Sequence, residues 1–340
     1  MCDSSARSCK CAAPLAGGVA ARQDQPRGLG LELGIAARDH HAVAVLFPPF
    51  CQPFPHLLDV PLLPHCPFTT DPAMSGVVQV IDGEGQMTDA PTWFDDDAER
   101  GPDAPTVVAI LGAQGSGKST LLNELFDTSF AVGDAATIGE ATTAGVAAAK
   151  ASADERLLVL DVEGADARSR GAAGRAFASR CASFAAALAD VVLLNLWYHD
   201  VGRVEASSYA LLKTLFAEVA KNVASGGDFR VAVVFVIRDV EPGVDADELR
   251  DLLVADAMDL WEGLKMDDAG PMQLEDHVDF SVVPLPHKKH EGEAFAAATA
   301  AFGDRLVNPD HDDFLPKPEY SKNVPADGFA TFSRSLWDAS

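Results

Sequence analysis

The chain has 340 residues, of which 51 are acidic and 26 are basic, so its formal net charge is −25 at pH 7. This length allows a large α/β domain with a sizeable core. The negative charge argues against nucleic acid or an anionic lipid surface as the partner, because both would be repelled. No run reaches the roughly 18 apolar residues that a membrane-spanning helix needs.

Residues 1–73 differ in composition from the remainder of the chain, since they contain ten of the 21 prolines and five of the six cysteines. Proline at this density cannot sustain long helices or central strands. The Cys and His residues lack zinc-site spacing, and their uneven distribution argues against a disulfide framework. We expect residues 1–73 to be disordered or a spurious extension upstream of a start near Met74; a transit sequence is a third alternative.

From Met74 onward, apolar runs of strand length alternate with helical patterns. The predicted strands are 77–81, 106–111, 156–161, 190–197, 230–237 and 279–285. The predicted helices, with apolar residues at i, i+3 and i+4, are 118–126, 174–189, 205–222, 245–264 and 291–306. Continuous β-branched runs suit a sheet buried on both faces. The alternation predicts an α/β fold with a doubly wound, mostly parallel sheet flanked by helices.

The first chemical motif is GAQGSGKS at 112–119, which fits G-x-x-x-x-G-K-S between a buried strand and a helix. Such a loop cradles phosphates with its backbone N–H groups. We expect Lys118 to lie between the β and γ phosphates and the Ser119 hydroxyl to bind Mg²⁺. The nucleotide contacts predicted here are Gly112, Gly115, Ser116, Gly117, Lys118, Ser119 and Thr120.

Two further elements fit a nucleoside triphosphatase. Asp161 ends the apolar run in LLVLDVEG and is the predicted carboxylate of the Mg²⁺ site, and Gly164 can present its amide to the γ phosphate. Between the loop and Asp161 lies GEATTAGVAAA, interpreted as a mobile loop. Of its adjacent threonines, 142 and 143, we favour Thr143 as the residue that completes the Mg²⁺ shell.

The base is predicted from VAVVFVIRD, which ends a buried strand in Arg238 and Asp239. Asp239 could accept both the ring N–H and the exocyclic amine of guanine, whereas adenine would leave the carboxylate unpaired. Guanine, and therefore GTP, is the favoured substrate. A strand-capping salt bridge and an ATP-using P-loop kinase are the alternatives.

With these elements in order, residues 74–340 resemble the atlastin-like branch of the dynamin superfamily. The similarity is to the plant root-hair-defective and fungal Sey1-like GTPases that fuse endoplasmic reticulum membranes. It is carried by VQVIDGEGQ, GAQGSGKSTLLNELF, TTAG, VLDVEGADARSRG, WYHDVGR, VFVIRD and NVPADGFATFSRSLW. The resemblance implies a P-loop NTPase fold with a dynamin-like large G domain, and Arg238 and Asp239 at guanine.

The resemblance also implies Mg²⁺-dependent GTP hydrolysis and a GTP-dependent homodimer formed through G domains. It places the protein at the cytosolic face of the endoplasmic reticulum membrane, held by segments beyond this chain. The helical bundle and transmembrane region of the family are absent from these 340 residues, which alone would be cytosolic. A truncated GTP-binding dimerisation switch with little turnover is the alternative.

The chain departs from the animal relatives at Gly115, where those proteins have a phosphate-loop arginine. The family's glutamine is present as Gln114 and is predicted to be catalytic together with Lys118, Thr143 and Gly164. Ala165 stands where some GTPases have a water-orienting glutamine. Charge stabilisation could come from Arg168 and Arg170, although a solvated turn is equally consistent with them. His199 and Asp200 suggest a general base, but a structural or switch-coupling role is favoured.

Overall fold

The protein is described from a computed structural model that covers residues 76–89, 104–133, 143–164, 171–203, 207–227, 229–264 and 273–340. The predictions made for residues 1–73 lie outside these ranges, as do those for Thr142, Ala165, Arg168 and Arg170.

Within the described ranges, seven strands form one sheet in the order β1-β3-β4-β2-β5-β6-β7. The strands are β1 (Val77–Ile81), β2 (Thr106–Gly112), β3 (Val146–Lys150), β4 (Leu157–Val162), β5 (Val191–Trp197), β6 (Val231–Arg238) and β7 (Val278–Leu285). The strands β4, β2, β5, β6 and β7 are parallel to one another. Beyond β4, β3 pairs antiparallel with β4, and β1 pairs antiparallel with β3. The mostly parallel sheet is confirmed.

β2 lies at the point where the strand order reverses. The chain goes from β2 to β3 and β4 on one side, and then to β5 on the other side. In such sheets, ligands bind at the carboxyl ends of the strands at the switch point. The segment that follows β2 is the phosphate loop predicted from the sequence.

Helices cover both faces of the sheet, as the doubly wound prediction requires. They are α1 (Lys118–Phe126), α2 (Gly171–Leu188), α3 (Ser207–Ala224), α4 (Ala246–Leu264), α5 (Gly292–Val307) and α6 (Ala326–Ala339). Val233 and Phe235 of β6 pack in the core beneath α2, α3, α4 and α6, while Val234 and Val236 pack in the core beneath α1 and α5. None of the described helices is long and apolar enough to cross a membrane.

Two elements differ from the sequence prediction. The second half of the stretch interpreted as a mobile loop is β3, whose sequence VAAAK has few β-branched residues. It forms a strand because it pairs on both sides, with β1 and with β4. The other is α6, which follows Pro325 and buries Phe329, Ser333 and Trp337 at helical spacing.

Trp337 fixes the end of α6 on the body of the domain. Its ring meets Phe184 of α2 edge-on, with ring centroids 5.8 Å apart, and its indole N–H donates to the carbonyl of Gly85, which follows β1, at 3.2 Å. The Arg180 guanidinium lies 3.8 Å from the centre of the indole ring and donates to the Trp337 carbonyl at 2.6 Å. The last helix is therefore anchored by both packing and hydrogen bonds.

A buried carboxylate, Asp190, and a half-buried lysine, Lys322, lie together at the other end of the sheet from the phosphate loop. Asp190 is 3% exposed and accepts the Val107 N–H at 2.8 Å, and Lys322 donates to the Arg230 carbonyl at 2.7 Å. Burial raises the pKa of Asp190 to about 6, opposed by the Val107 N–H and the Lys322 charge. Burial lowers the pKa of Lys322 to about 8, although Asp190 opposes the shift. Desolvation therefore outweighs the attraction between the two groups.

The Asp190→Asn substitution is expected to remove one pH dependence of stability. Because the Asp190 pKa is raised from 3.8 to about 6 on folding, its stabilising contribution is complete below 3.8 and is lost as the pH rises through about 6. Urea denaturation at about pH 4 and about pH 7 measures it. Between about pH 4 and about pH 7, the free energy of unfolding of the wild type minus that of the variant should fall by up to about 3 kcal/mol. A difference that stays constant with pH would contradict this, and exposed Asp251→Asn is the control.

Candidate functional site

The phosphate loop connects the end of β2 at Gly112 to the start of α1 at Lys118. The Lys118 side chain is 7% exposed, and its Nζ donates to the carbonyls of Gly112 at 3.3 Å and Ala113 at 3.0 Å. No acidic residue occupies the first turn of α1, so the positive end of the helix dipole faces the loop without a competing carboxylate. A helix N-terminus of this kind binds phosphate.

The other residues predicted from the loop motif differ in how far they are buried. Ser116 is buried, and its Oγ donates to the Ala113 carbonyl at 2.8 Å. Gly115 has a φ of 75° and open space where a side chain would project. Gly117 precedes α1 with a φ of 81°. Thr120 lies half-buried in the first turn of α1.

Three oxygen-bearing side chains converge beside the loop. The Ser119 hydroxyl donates to Asp161 Oδ2 at 2.7 Å and the Thr143 hydroxyl donates to the same oxygen at 2.8 Å. The two hydroxyl oxygens are 3.2 Å apart. The structure thus brings together, from α1, from the segment before β3 and from β4, the three residues that the sequence predicted as Mg²⁺ ligands.

The Asp161 environment fits a hard cation. The carboxylate is 1% exposed, and its Oδ1 is buried without a hydrogen-bond partner among the described residues. Burial raises its pKa, opposed by the Ser119 hydroxyl, the Lys118 charge and the Thr143 hydroxyl. An all-oxygen set with one orphaned carboxylate oxygen is the donor chemistry that Mg²⁺ prefers, so these residues fit the ion.

The turn after β4 lies directly against the phosphate loop. A Cβ added at Gly164 would come within 2.5 Å of the Gln114 backbone nitrogen and Cα. Two of the residues predicted to be catalytic therefore meet, although one follows β2 and the other follows β4. Contact this close is possible only because residue 164 has no side chain.

Residues that the sequence analysis did not single out hold the segment after Thr143. Glu163 and Gly145 form a reciprocal pair, in which the Gly145 N–H donates to Glu163 Oε2 at 2.7 Å and the Glu163 N–H donates to the Gly145 carbonyl at 2.8 Å. The Gln79 amide donates from β1 to the Ala144 carbonyl at 2.6 Å. The glutamate of D-x-E-G was the available signal for the first contact; Gln79 had none.

Asp239 lies at the carboxyl end of β6 with a left-handed φ of 59°. Its Oδ2 is 3.9 Å from His287 Nε2. His287 Nδ1 accepts the backbone N–H groups of Lys289 and His290 at 3.1 and 3.3 Å, which leaves Nε2 as the protonated nitrogen of the neutral ring. His287, in the segment PLPHKK at the end of β7 and after it, thus lies beside the predicted guanine-binding carboxylate.

Arg238 extends in a different direction from its neighbour. Its side chain is 6% exposed, and Nη1 donates to the carbonyls of Ser116 at 3.3 Å and Gly117 at 3.4 Å. Asn195 of β5 donates to the same Ser116 carbonyl at 2.8 Å. The sequence predicted Arg238 beside the base, whereas the structure places its guanidinium against the phosphate loop.

His199 and Asp200 lie in a short 3₁₀ helix after β5. The His199 ring stacks on Trp197 with centroids 6.1 Å apart, and its Nε2 is 3.6 Å from Asp200 Oδ1. Arg203 Nη1 lies 3.8 Å from that same oxygen. These contacts join the residues of the turn to one another; the structural or switch-coupling role favoured from the sequence stays a prediction.

Comparison with known proteins gives one family match and many curated relatives. Residues 111–340 match the family model described as "Root hair defective 3 GTP-binding protein (RHD3) GTPase domain". The SEY1 homologue of Dictyostelium discoideum is 38% identical over 239 residues, which cover 68% of this chain and 27% of that protein. SEY1 of Laccaria bicolor is 34% identical over 291 residues, which cover 82% of this chain and 37% of that protein.

The solved structures that the comparison found are less similar to this chain than the curated relatives are. A structure of the signal recognition particle receptor SRb with GDP and Mg, from Chaetomium thermophilum, has a TM-score of 0.32 and 15% identity. The match covers 57% of this chain and 99% of that one. Against the two curated relatives, the chain spans only about a third of the full length.

Proposed function

Because the chain belongs to the root-hair-defective GTPase domain family, we propose that it is a Mg²⁺-dependent GTPase that hydrolyses GTP to GDP and phosphate. The observation that carries the proposal is the convergence of the Ser119, Thr143 and Asp161 oxygens beside the phosphate loop. These residues come from three separate elements, yet their side-chain oxygens lie 2.7 to 3.2 Å from one another.

The phosphates bind to the loop and to the N-terminus of α1. Lys118 exchanges its contacts with the Gly112 and Ala113 carbonyls for phosphate oxygens, where its charge stabilises the anion. Ser119, Thr143 and Asp161 would hold the Mg²⁺, which when bound would neutralise phosphate charge. Thr143 thereby ties the segment before β3 to the presence of the γ phosphate.

The attacking water is positioned by the backbone at Gly164 together with Gln114. Both residues lie at the contact between the turn after β4 and the phosphate loop. An amide N–H and a side-chain amide can orient a water and bind the γ phosphate without a charged base, which is how phosphoryl transfer is commonly catalysed.

Asp239 selects guanine. A carboxylate in this place accepts the two N–H groups of guanine, and adenine would leave it desolvated and unpaired. The left-handed backbone at Asp239 turns the chain at the end of β6, and the carboxylate is about 30% exposed at the surface. It is therefore open to a ligand.

We infer the cellular role from the family resemblance. The chain serves as the GTPase head of an atlastin-like protein that fuses endoplasmic reticulum membranes homotypically and shapes the network. Its heads dimerise when GTP is bound, at the cytosolic face of that membrane, and membrane contact comes through other segments of the protein. The matched relatives are much longer than this chain, which supports a head that works with further segments.

A GTP-binding dimerisation switch with little turnover is the second candidate. Gly115 favours it, because glycine supplies no charge where the animal relatives have a phosphate-loop arginine. A catalytic arginine is worth about 10³ to 10⁵ in rate where it is present.

Single-turnover hydrolysis of GTP by the full chain separates the two candidates. We expect phosphate release well above the uncatalysed rate, abolished by EDTA and lowered at least about 100-fold by Asp161→Asn, which removes the charge that holds Mg²⁺. Exposed Asp251→Asn is the matched control. Stoichiometric GTP binding without phosphate release would favour the switch and exclude the enzyme.

A further inference from the structure

Arg238 and Asp239 are adjacent in sequence but serve different parts of the site. Asp239 is about 30% exposed and lies beside His287, whereas Arg238 is 6% exposed. Arg238 is the last residue of β6 and shares the parity of Val234 and Val236, whereas Asp239 follows the strand with a left-handed φ. A group this deeply buried is poorly placed to meet a base that binds at the surface.

The Arg238 guanidinium contacts the phosphate loop at close range. Nη1 donates to the Ser116 and Gly117 carbonyls at 3.3 and 3.4 Å, and a Cβ added at Gly117 would lie only 3.0 Å from that nitrogen. Asn195 of β5 donates to the Ser116 carbonyl at 2.8 Å and to the Ser116 hydroxyl at 2.9 Å. Side chains from two neighbouring strands therefore hold the same stretch of loop.

The buried Arg238 guanidinium is only partly hydrogen-bonded among the described residues. Its Nε is buried without a hydrogen-bond partner among the described residues, and Nη1 donates to neutral carbonyls. Phe295 of α5 lies 5.5 Å away. Burial lowers the pKa of Arg238 while Asp239 opposes the shift, but an arginine remains a cation in proteins. A cation in this place lowers the electrostatic cost of bringing an anion into the loop.

We propose that Arg238 is a positioning residue for the nucleotide phosphates, which holds the Ser116–Gly117 stretch in place and sets a buried positive charge beside it. Recognition of the base is left to Asp239. Gly115 lacks the charge of a loop arginine, whereas Arg238 at the end of β6 supplies a positive charge to the same loop. The proposal rests on the proposed guanine-nucleotide site and gives one of its residues a different role.

Binding measurements with three nucleotides test this assignment in the full chain. GDP is compared with GMP, which lacks the β phosphate, and with IDP, which lacks the exocyclic amine of guanine. For Arg238→Gln we expect GDP and IDP affinities to fall together by at least about tenfold, the effect of losing charged hydrogen bonds. The affinity for GMP should change much less. The GDP/IDP ratio, which is the affinity for GDP divided by the affinity for IDP, should stay as in the wild type.

Asp239→Asn is the matched control, because it alters the neighbouring residue at the base. It should reduce the GDP/IDP ratio towards one, since the amine of guanine loses its carboxylate. Arg238→Lys keeps the charge without the guanidinium fork and should recover part of the GDP affinity. Thermal unfolding and binding stoichiometry show whether each variant is folded, and a folding defect would weaken GMP as much as GDP.

Three results would overturn the assignment. They are a GDP/IDP ratio that falls in Arg238→Gln as in Asp239→Asn, equal losses for GMP and GDP, and unchanged affinity for all three nucleotides. A wild type that binds GDP without hydrolysing GTP would contradict the proposed enzyme and leave this comparison intact, because the comparison uses binding alone.

Discussion

Lys118→Ala is expected to lower single-turnover GTP hydrolysis by about 10³-fold, equivalent to about 4 kcal/mol of transition-state stabilisation. The Lys118 ammonium is nearly buried over the loop, where its hydrogen bonds to two carbonyls keep it in place for phosphate oxygens. A buried charge attracts an anion far more strongly than a charge at the surface does. Nucleotide affinity should fall as well.

The matched control for this substitution is Lys213→Ala. Lys213 lies on the exposed side of α3, with its Nζ 5.2 Å from the centre of the Tyr209 ring. Rapid-quench measurement of phosphate release gives both rates under the same conditions. Hydrolysis by Lys118→Ala within about tenfold of the wild type would show that the loop lysine is not the main phosphate contact.

Gly145→Ala is expected to have the largest effect on stability, lowering the thermal midpoint by about 10 °C, equivalent to several kcal/mol. Gly145 has a φ of 70°, and its added Cβ would lie 2.1 Å from the Ile81 carbonyl oxygen and 2.7 Å from that of Asp82. Both are backbone atoms at the end of β1, so they cannot rotate away as a side chain could. The hydrogen bonds between Gly145 and Glu163 would be disturbed with them.

Gly243→Ala separates the clash from the backbone strain. Gly243 has a φ of 90° and nothing within 4 Å of an added Cβ, so only the left-handed strain of about 1 kcal/mol remains. Its midpoint should fall by about 2 to 4 °C. Equal midpoints for the two variants would show that β1 yields to the new methyl group. Hydrolysis should fall in Gly145→Ala alone, because Thr143 lies two residues away.

Local patterns were sufficient to predict most of the elements. The strands β2, β5 and β6 are continuous apolar runs and were predicted within one residue at each end. The phosphate loop and the start of α1 were both predicted from one motif, because its glycines allow the turns of the loop and its lysine begins the helix. Predictions of this kind hold because the determinants lie within a few residues of each other.

The strand β3 and the helix α6 were missed for different reasons. β3 contains three alanines in VAAAK, and only its pairing with two neighbours makes it a strand. α6 was not predicted although NVPADGFATFSRSLW contains apolar residues at helical spacing, and its packing depends on the contacts of Trp337 with α2 and Gly85. Non-local pairing and packing override weak propensities.

The sequence by itself determined which side chains are candidates for phosphate, metal and base, because Lys118 begins the helix after the loop motif and Asp161 and Asp239 lie at the ends of buried runs. Only the tertiary structure decided how they are held. Gln79 and Asn195 reach the site from β1 and β5, far away in sequence, and Arg238 meets the loop residues Ser116 and Gly117 only because β6 and the loop lie side by side in the fold. Parallel strands bring their carboxyl ends to one edge regardless of sequence separation, so contacts across that edge have no local signature.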